Sequence, residues 1–190
     1  LNNPTGGNWT QDEKRTVYEA CQSLSIPILE DDVYSELLFE DTMELPIKAL
    51  DTTGNVLYVE KEKKTISPGL RIGWIVGPET VIRRLADIKM QTDYGSSAIS
   101  QAIVTHWLTS GLYERHVTDL RNQLQERALF MEQLLIKHFK DFATWESPKG
   151  GFYIWVRFSK PVITKALFTA LIEQKIMINP GYIYQPNDYY

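Results

Sequence analysis

Ile26-Pro27-Ile28-Leu29-Glu30-Asp31-Asp32-Val33-Tyr34 is the stretch on which the fold turns. A short apolar run, Ile26 to Leu29, is bounded by polar residues, a pattern that suits a buried parallel strand. It ends in three consecutive acids, and Tyr34 follows at close spacing. Open α/β sheets bind ligands in the crevice beyond the carboxyl ends of their strands. The acids therefore stand where a ligand site would be, although a solvated rim is the commoner reading of an acidic triplet.

Working outward, Leu1 to Asn8 reads as a loop, because Asn2, Asn3, Pro4, Gly6 and Gly7 are turn formers. Thr10 and Glu13 have the spacing of a capping box. A helix to about Leu24 is expected, with Val17, Ala20, Cys21 and Leu24 on its apolar face and Pro27 breaking it. Beyond the acids, Leu37 to Leu50 is irregular, Thr53-Gly54-Asn55 is a turn, and Val56 to Val59 reads as a second buried strand. Ser67-Pro68-Gly69 is another turn, and Arg71 to Val76 reads as a third strand. Helix, then strands separated by loops with polar groups at their ends, is the grammar of an α/β sheet.

Near Gly77-Pro78 the character changes. Glu79 to Met90 and Ser97 to Phe139 read as helical, the latter with a break at Ser110-Gly111. A hairpin signal follows: Phe142 to Glu146, a turn at 147–151, and Phe152 to Phe158 in alternation. Thr164 to Gln174 reads as a helix and Ile176 to Ile178 as a short strand. The pattern predicts a sheet region over 1–78, a connecting helical region over 79–96 and a smaller α+β region over 97–190.

Composition bounds the function. The chain has 190 residues, 43% of them hydrophobic and 23% charged, the profile of a globular domain rather than a disordered or fibrous one. A formal net charge of −4 and a pI near 5.4 argue against nucleic-acid binding through overall charge. Cys21 is the sole cysteine, which excludes an intrachain disulfide and a cysteine-rich zinc site. His106, His116 and His138 have no metal-pair spacing and read as surface or packing residues. No apolar run approaches the roughly 20 residues needed to cross a bilayer. Cytoplasm is the default compartment. Starting at Leu1 inside a turn motif, the chain is expected to be a piece of something longer.

Two further segments carry candidate chemistry. Lys61-Glu62-Lys63-Lys64 reads either as a solvated turn or as a strand-end lysine whose pKa is lowered by neighbouring cations, ready to form an imine. Arg71, after the glycine turn, suits either a bidentate phosphate contact or an ordinary strand start.

Four motifs stand in order: Asn3-Pro4-Thr5-Gly6, Asp31-Asp32-Val33-Tyr34, Lys64-Thr65-Ile66-Ser67-Pro68-Gly69-Leu70-Arg71-Ile72-Gly73, and Pro148-Lys149-Gly150-Gly151-Phe152-Tyr153. Together they resemble the class I/II aminotransferases, fold-type I enzymes that use pyridoxal 5′-phosphate (PLP). The wording is most similar to the aminotransferase-like domains of MocR-type regulators, a branch of the GntR group. The resemblance covers essentially the whole chain, and the lysine-to-arginine stretch is its most specific part. It implies an α/β fold: part of a large, mainly parallel sheet domain, then a small α+β domain.

The resemblance also assigns roles. Lys64 is the catalytic lysine that bonds the PLP aldehyde. Asn3 and Tyr34 contact the phenolic oxygen. Asp31 pairs with the ring nitrogen, keeping the ring protonated so that it can accept carbanion charge, with Asp32 as the reserve candidate. Arg71 binds the phosphate. Where the family has two hydroxyl residues before the lysine, this chain has Lys61 and Lys63 around Glu62. Lys61 could meet a phosphate as a point charge, with the Glu62 carboxylate opposing it. The family's first phosphate loop, its ring-stacking aromatic and its substrate-carboxylate arginine are outside these residues, so the 190 residues alone are expected to bind little PLP.

Three functional readings follow. The first is a PLP-binding effector domain of a transcription regulator, sensing a small amine or amino acid and reaching DNA only through a separate N-terminal domain. The second is part of a free-standing aminotransferase acting on an amino acid and a 2-oxo acid. The third, which the lysines at 61 and 63 favour slightly, is a scaffold without cofactor; the wording of Glu30 to Leu37, similar to MocR regulators, tips the choice to the first. A homodimer is expected on the resemblance, because family sites lie at a dimer interface.

Overall fold

The computed structural model describes residues 1–40, 44–61 and 66–184. Thr10 caps the first helix, α1 (Gln11–Ser23), through the expected box: its hydroxyl accepts from the Glu13 N–H, and the Glu13 carboxylate accepts from the Thr10 N–H at 2.8 Å. The buried residue of α1 is Tyr18, not the expected stripe; Val17 and Cys21 are half-buried, and Leu24 is 69% exposed. Tyr18 wins because the helix docks on a small cluster, Ile47 and Val56 with Ile28 and Leu50, that its ring fills.

Three strands form the sheet: β1 (Ile28–Asp31), β2 (Val56–Lys61) and β3 (Gly73–Val76), in that order. β1 and β2 are parallel, with Ile28 opposite Val56 and Asp31 opposite Val59. β3 runs antiparallel to β2, with Ile75 opposite Val59 and Gly73 opposite Lys61, a direction the sequence pattern did not signal. β1 starts two residues later than expected. Pro27 has no N–H to give, and the ladder opens where the Ile28 N–H donates to the Asn55 carbonyl at 2.9 Å. The shift brings Glu30 and Asp31 inside the strand.

Side chains alternate across a sheet. Ile28 and Val56 pack with Tyr18 of α1 and with Ile47 and Leu50 of the short helical turn Ile47–Leu50, and Tyr58 shares their face. The Glu30 carboxylate reaches that turn and accepts from the Ile47 and Lys48 N–H groups at 2.6 and 2.8 Å. Leu29, Asp31, Val59, Lys61 and Ile75 lie on the opposite face, where Leu29 is 69% exposed. One face of the sheet is therefore covered and the other largely bare.

The helical stretch is α2 (Glu79–Asp93), α3 (Ala98–Thr109) and α4 (Leu112–Phe139). α3 and α4 part at Ser110-Gly111 as expected, with Gly111 at φ 75°. Beyond α4, β4 (Ala143–Thr144) and β5 (Arg157–Phe158) pair antiparallel. The regular hairpin is only two residues long on each side. The expected turn segment does something else: Gly150 bridges to Leu38, the Phe39 N–H donates to the Lys149 carbonyl at 2.9 Å, and the Gly151 N–H to the Leu37 carbonyl at 3.0 Å. A methyl group at position 150 would stand 2.4 Å from the Leu37 carbonyl oxygen, so glycine is required there. α5 (Lys165–Glu173) follows, capped by Thr164, and a 3-10 turn forms at Gly181–Tyr184. Ile176 to Ile178 is not a strand; the Ile176 N–H closes the end of α5 on the Leu171 carbonyl, and Met177 is 84% exposed.

A second cluster joins the two parts of the chain. Val33, Tyr34 and Leu37 are buried, with Leu1, Leu120, Leu124 and Tyr153 packed on them.

Candidate functional site

At the carboxyl end of β1 the bare face of the sheet opens into a cavity of about 310 Å³. Its described wall is Leu1, Asn2 and Asn3 from the N-terminal loop, Asp31, Val33 and Tyr34 from the end of β1, and Lys61 from the end of β2. Three of the five residues picked from sequence, Asn3, Asp31 and Tyr34, thus meet in one place.

Each is held differently. The Asn3 loop is closed by a pair of backbone bonds, Asn2 N–H to the Gly7 carbonyl and Gly6 N–H to the Asn2 carbonyl, both 2.8 Å. Gly6 sits at φ 70°, and a Cβ there would stand 2.9 Å from the Tyr153 carbonyl oxygen. Tyr34 is buried, its ring edge-on to Phe152 and Tyr153 with centroids 6.3 and 6.1 Å away. The turn that follows it, Ser35–Leu37, is fastened to α4: Tyr113 donates to the Glu36 carboxylate, and the Arg121 Nε donates to the Glu36 carbonyl at 2.5 Å.

The neighbouring acids are separated by the pleat. Asp31 faces the cavity, and its carboxylate is 3.6 Å from the Lys61 ammonium. Asp32 accepts from the Tyr58 hydroxyl at 3.1 Å, and the same hydroxyl lies 3.2 Å from a Glu60 carboxylate oxygen. Burial, and then the Asp32 and Glu60 charges, push the Tyr58 phenol far above its ordinary pKa, so it stays protonated. Of the two adjacent carboxylates, only Asp31 is presented to the cavity.

Arg71 follows the turn Ser67–Leu70, is exposed and has φ 57°; it precedes β3 rather than opening it, and stands outside the described wall. Lys64 lies outside the described residues. Lys61 was legible as a cation but not as the partner of Asp31. The signal for that was the strand register: Asp31 lies opposite Val59, so Lys61 is its diagonal neighbour on the same face.

The chain matches the model of the family described as aminotransferase class I and II over residues 1–187. It belongs to that family. Among its relatives, the uncharacterized HTH-type transcriptional regulator YisV of Bacillus subtilis is 46% identical over 99% of this chain and 39% of its own length. The HTH-type transcriptional regulator NorG of Staphylococcus aureus is 42% identical over 97% of this chain and 42% of its own. This aminotransferase-family chain therefore spans about two fifths of the curated relatives it matches. Among solved structures, the kynurenine aminotransferase of Pyrococcus horikoshii, in complex with PMP, superposes with a TM-score of 0.89 at 29% identity over 95% of this chain and 45% of its own. LysN, the α-aminoadipate aminotransferase of Thermus thermophilus, complexed with N-(5′-phosphopyridoxyl)-L-leucine, gives 0.87 at 25% over 94% and 46%. The fold is thus part of the fold-type I PLP-dependent aminotransferase fold. Among the described residues no helix is long and apolar enough to cross a membrane, and no three His, Cys, Asp or Glu side chains gather to hold a metal.

Proposed function

We propose that the chain is the PLP-binding, aminotransferase-like effector region of a MocR/GntR-type transcription regulator. One observation carries this reading: a cavity walled by Asn3, Asp31 and Tyr34 occurs in a chain whose relatives at 42–46% identity are named HTH-type regulators. The donor set fits the cofactor. A carboxylate suits a protonated ring nitrogen, and an amide and a phenol suit an anionic phenolic oxygen. The volume lies at the lower end of the roughly 300–1,000 Å³ of small-molecule pockets.

When bound, PLP supplies an aldehyde that holds an amine and a ring that accepts negative charge. The chain's own groups have simpler tasks. Asp31 keeps the proton on the ring nitrogen. Asn3 and Tyr34 orient the ring through its phenolic oxygen. Lys64 is the covalent anchor and Arg71 the phosphate contact. The ligand sensed would be a small amine or amino acid, and DNA is met only by a separate N-terminal domain. We read residues 1–78 as sheet domain, 79–96 as connector and 97–190 as small domain, in a cytoplasmic homodimer.

Borohydride reduction of the full-length protein with PLP, followed by peptide mapping, tests the site. Label on the peptide holding Lys64 is expected. Label on Lys61 or Lys63 would move the anchor, and no label on any lysine would overturn the cofactor reading.

A further inference from the structure

We propose that Lys61 is an exchange residue of the cavity: it pairs with Asp31 when no ligand is bound, and passes to the ligand's phosphate when the ligand's ring nitrogen takes Asp31. This rests on reading the cavity as a PLP site.

The geometry motivates the exchange. Asp31 and Lys61 stand at the carboxyl ends of adjacent parallel strands on the bare face of the sheet, with ammonium and carboxylate 3.6 Å apart. Their side chains remain 62% and 44% exposed. An ion pair that open to water is worth no more than about fivefold in an equilibrium constant, so it guides without locking. A carboxylate bonded to a ring N–H has no need of a second cation, whereas a phosphate arriving with that ring does. After the exchange every charge keeps a partner: Asp31 with the ring, and Lys61 with the phosphate, whose second negative charge is left for Arg71.

Lys61 has the freedom to move. Its cross-strand partner is Gly73, where a Cβ would stand 3.2 Å from the Lys61 Cβ and 2.8 Å from the Glu60 carbonyl oxygen. The absent side chain at 73 leaves the lysine stem unconfined on that side. Lysine suits the task because its ammonium is a compact charge on a flexible stem. The carboxylate of Glu60 does not compete for it in the cavity, because it is turned to the other face beside Tyr58.

The test measures affinity of the full-length protein for pyridoxine 5′-phosphate and for pyridoxine by calorimetry. Both are alcohols and form no bond to a lysine, so the readout is independent of Lys64. The native protein is expected to prefer the phosphorylated form. In Lys61→Met that preference falls about tenfold, while pyridoxine itself binds up to about fivefold tighter, because Asp31 has lost its competitor. Lys61→Arg retains the preference. In an Asp31→Asn background, Lys61→Met no longer tightens pyridoxine. Lys61→Gln serves if the methionine variant fails to fold. An unchanged preference in the neutral variants, with both compounds still bound, overturns the exchange alone. If the native protein binds neither compound, the PLP reading of the cavity falls and takes the exchange with it.

Discussion

Asp51 shows how much one carboxylate can organise. Its side chain is fully buried and accepts from the N–H groups of Thr53, Gly54, Asn55 and Val56 at 2.9 to 3.2 Å, and from the Lys48 ammonium at 2.8 Å. Burial alone would raise its pKa, but the Lys48 ammonium and the backbone donors outweigh burial and hold the carboxyl well below its ordinary range. Asp51→Ala orphans those donors at the start of β2 and is expected to cost about 3 kcal/mol in urea unfolding. The sign with pH follows from the lowered pKa. The contribution is complete above the unfolded value of about 4 and drains away as pH falls below it. The acid limb of the stability profile should therefore flatten in the variant. The sequence announced the Thr53-Gly54-Asn55 turn but not its organiser, because an acid ahead of a turn is commonplace. It put Asp31 ahead of Asp32 only through the family motif; the pleat supplies the physical separation, one to the cavity and one to Tyr58.

At the scale of elements, most boundaries were legible where local chemistry sets them. The Thr10 box, the Gly111 break and the Thr164 cap all act within one turn of chain. What escaped was set by distant partners. Ile176 to Ile178 had the composition of a strand but finds no ladder among the described residues. The glycine-rich segment around Gly150 read as a hairpin tip, yet it lies along 37–39. α4 is the element that matters most to the site, because Tyr113 and Arg121 hold the turn after Tyr34 while Leu120 and Leu124 pack on it. Arg121→Ala removes a charge-assisted donor from the Glu36 carbonyl. Hydrogen exchange at residues 34–37 should quicken by about tenfold, with about 1–2 kcal/mol lost globally. Unchanged exchange there would show that Leu120 and Leu124 suffice to hold the turn.

The whole molecule exposes 13567 Å², where a compact monomer of 21.9 kDa shows about 9,300 Å². Leu29 and Ile75 on the sheet, Ile99 on α3 and Phe130 on α4 are among the exposed apolar side chains. Exposed apolar surface of that kind is what contact with further polypeptide covers in other proteins, and the homodimer proposed above would have to cover it here. The chain spans about two fifths of the length of the curated relatives it matches.

The backbone bridge between Leu38 and Gly150 also bears on the order in which the chain assembles. It ties together points more than about a hundred residues apart, a closure that costs about 4 kcal/mol of chain entropy before any contact is returned. The α3–α4 pair, by contrast, is built from local contacts and needs no such closure. The bridge should therefore be absent from the folding transition state. Gly150→Ala, which forces a clash with the Leu37 carbonyl, is expected to accelerate unfolding by one to two orders of magnitude and leave the refolding rate nearly unchanged. Stopped-flow chevrons of the full-length protein decide this, and a slowed refolding limb would place the bridge in the nucleus instead. On the expected outcome the Tyr34 wall of the cavity is among the last parts to close, and the ligand site is completed only as the native state itself is reached.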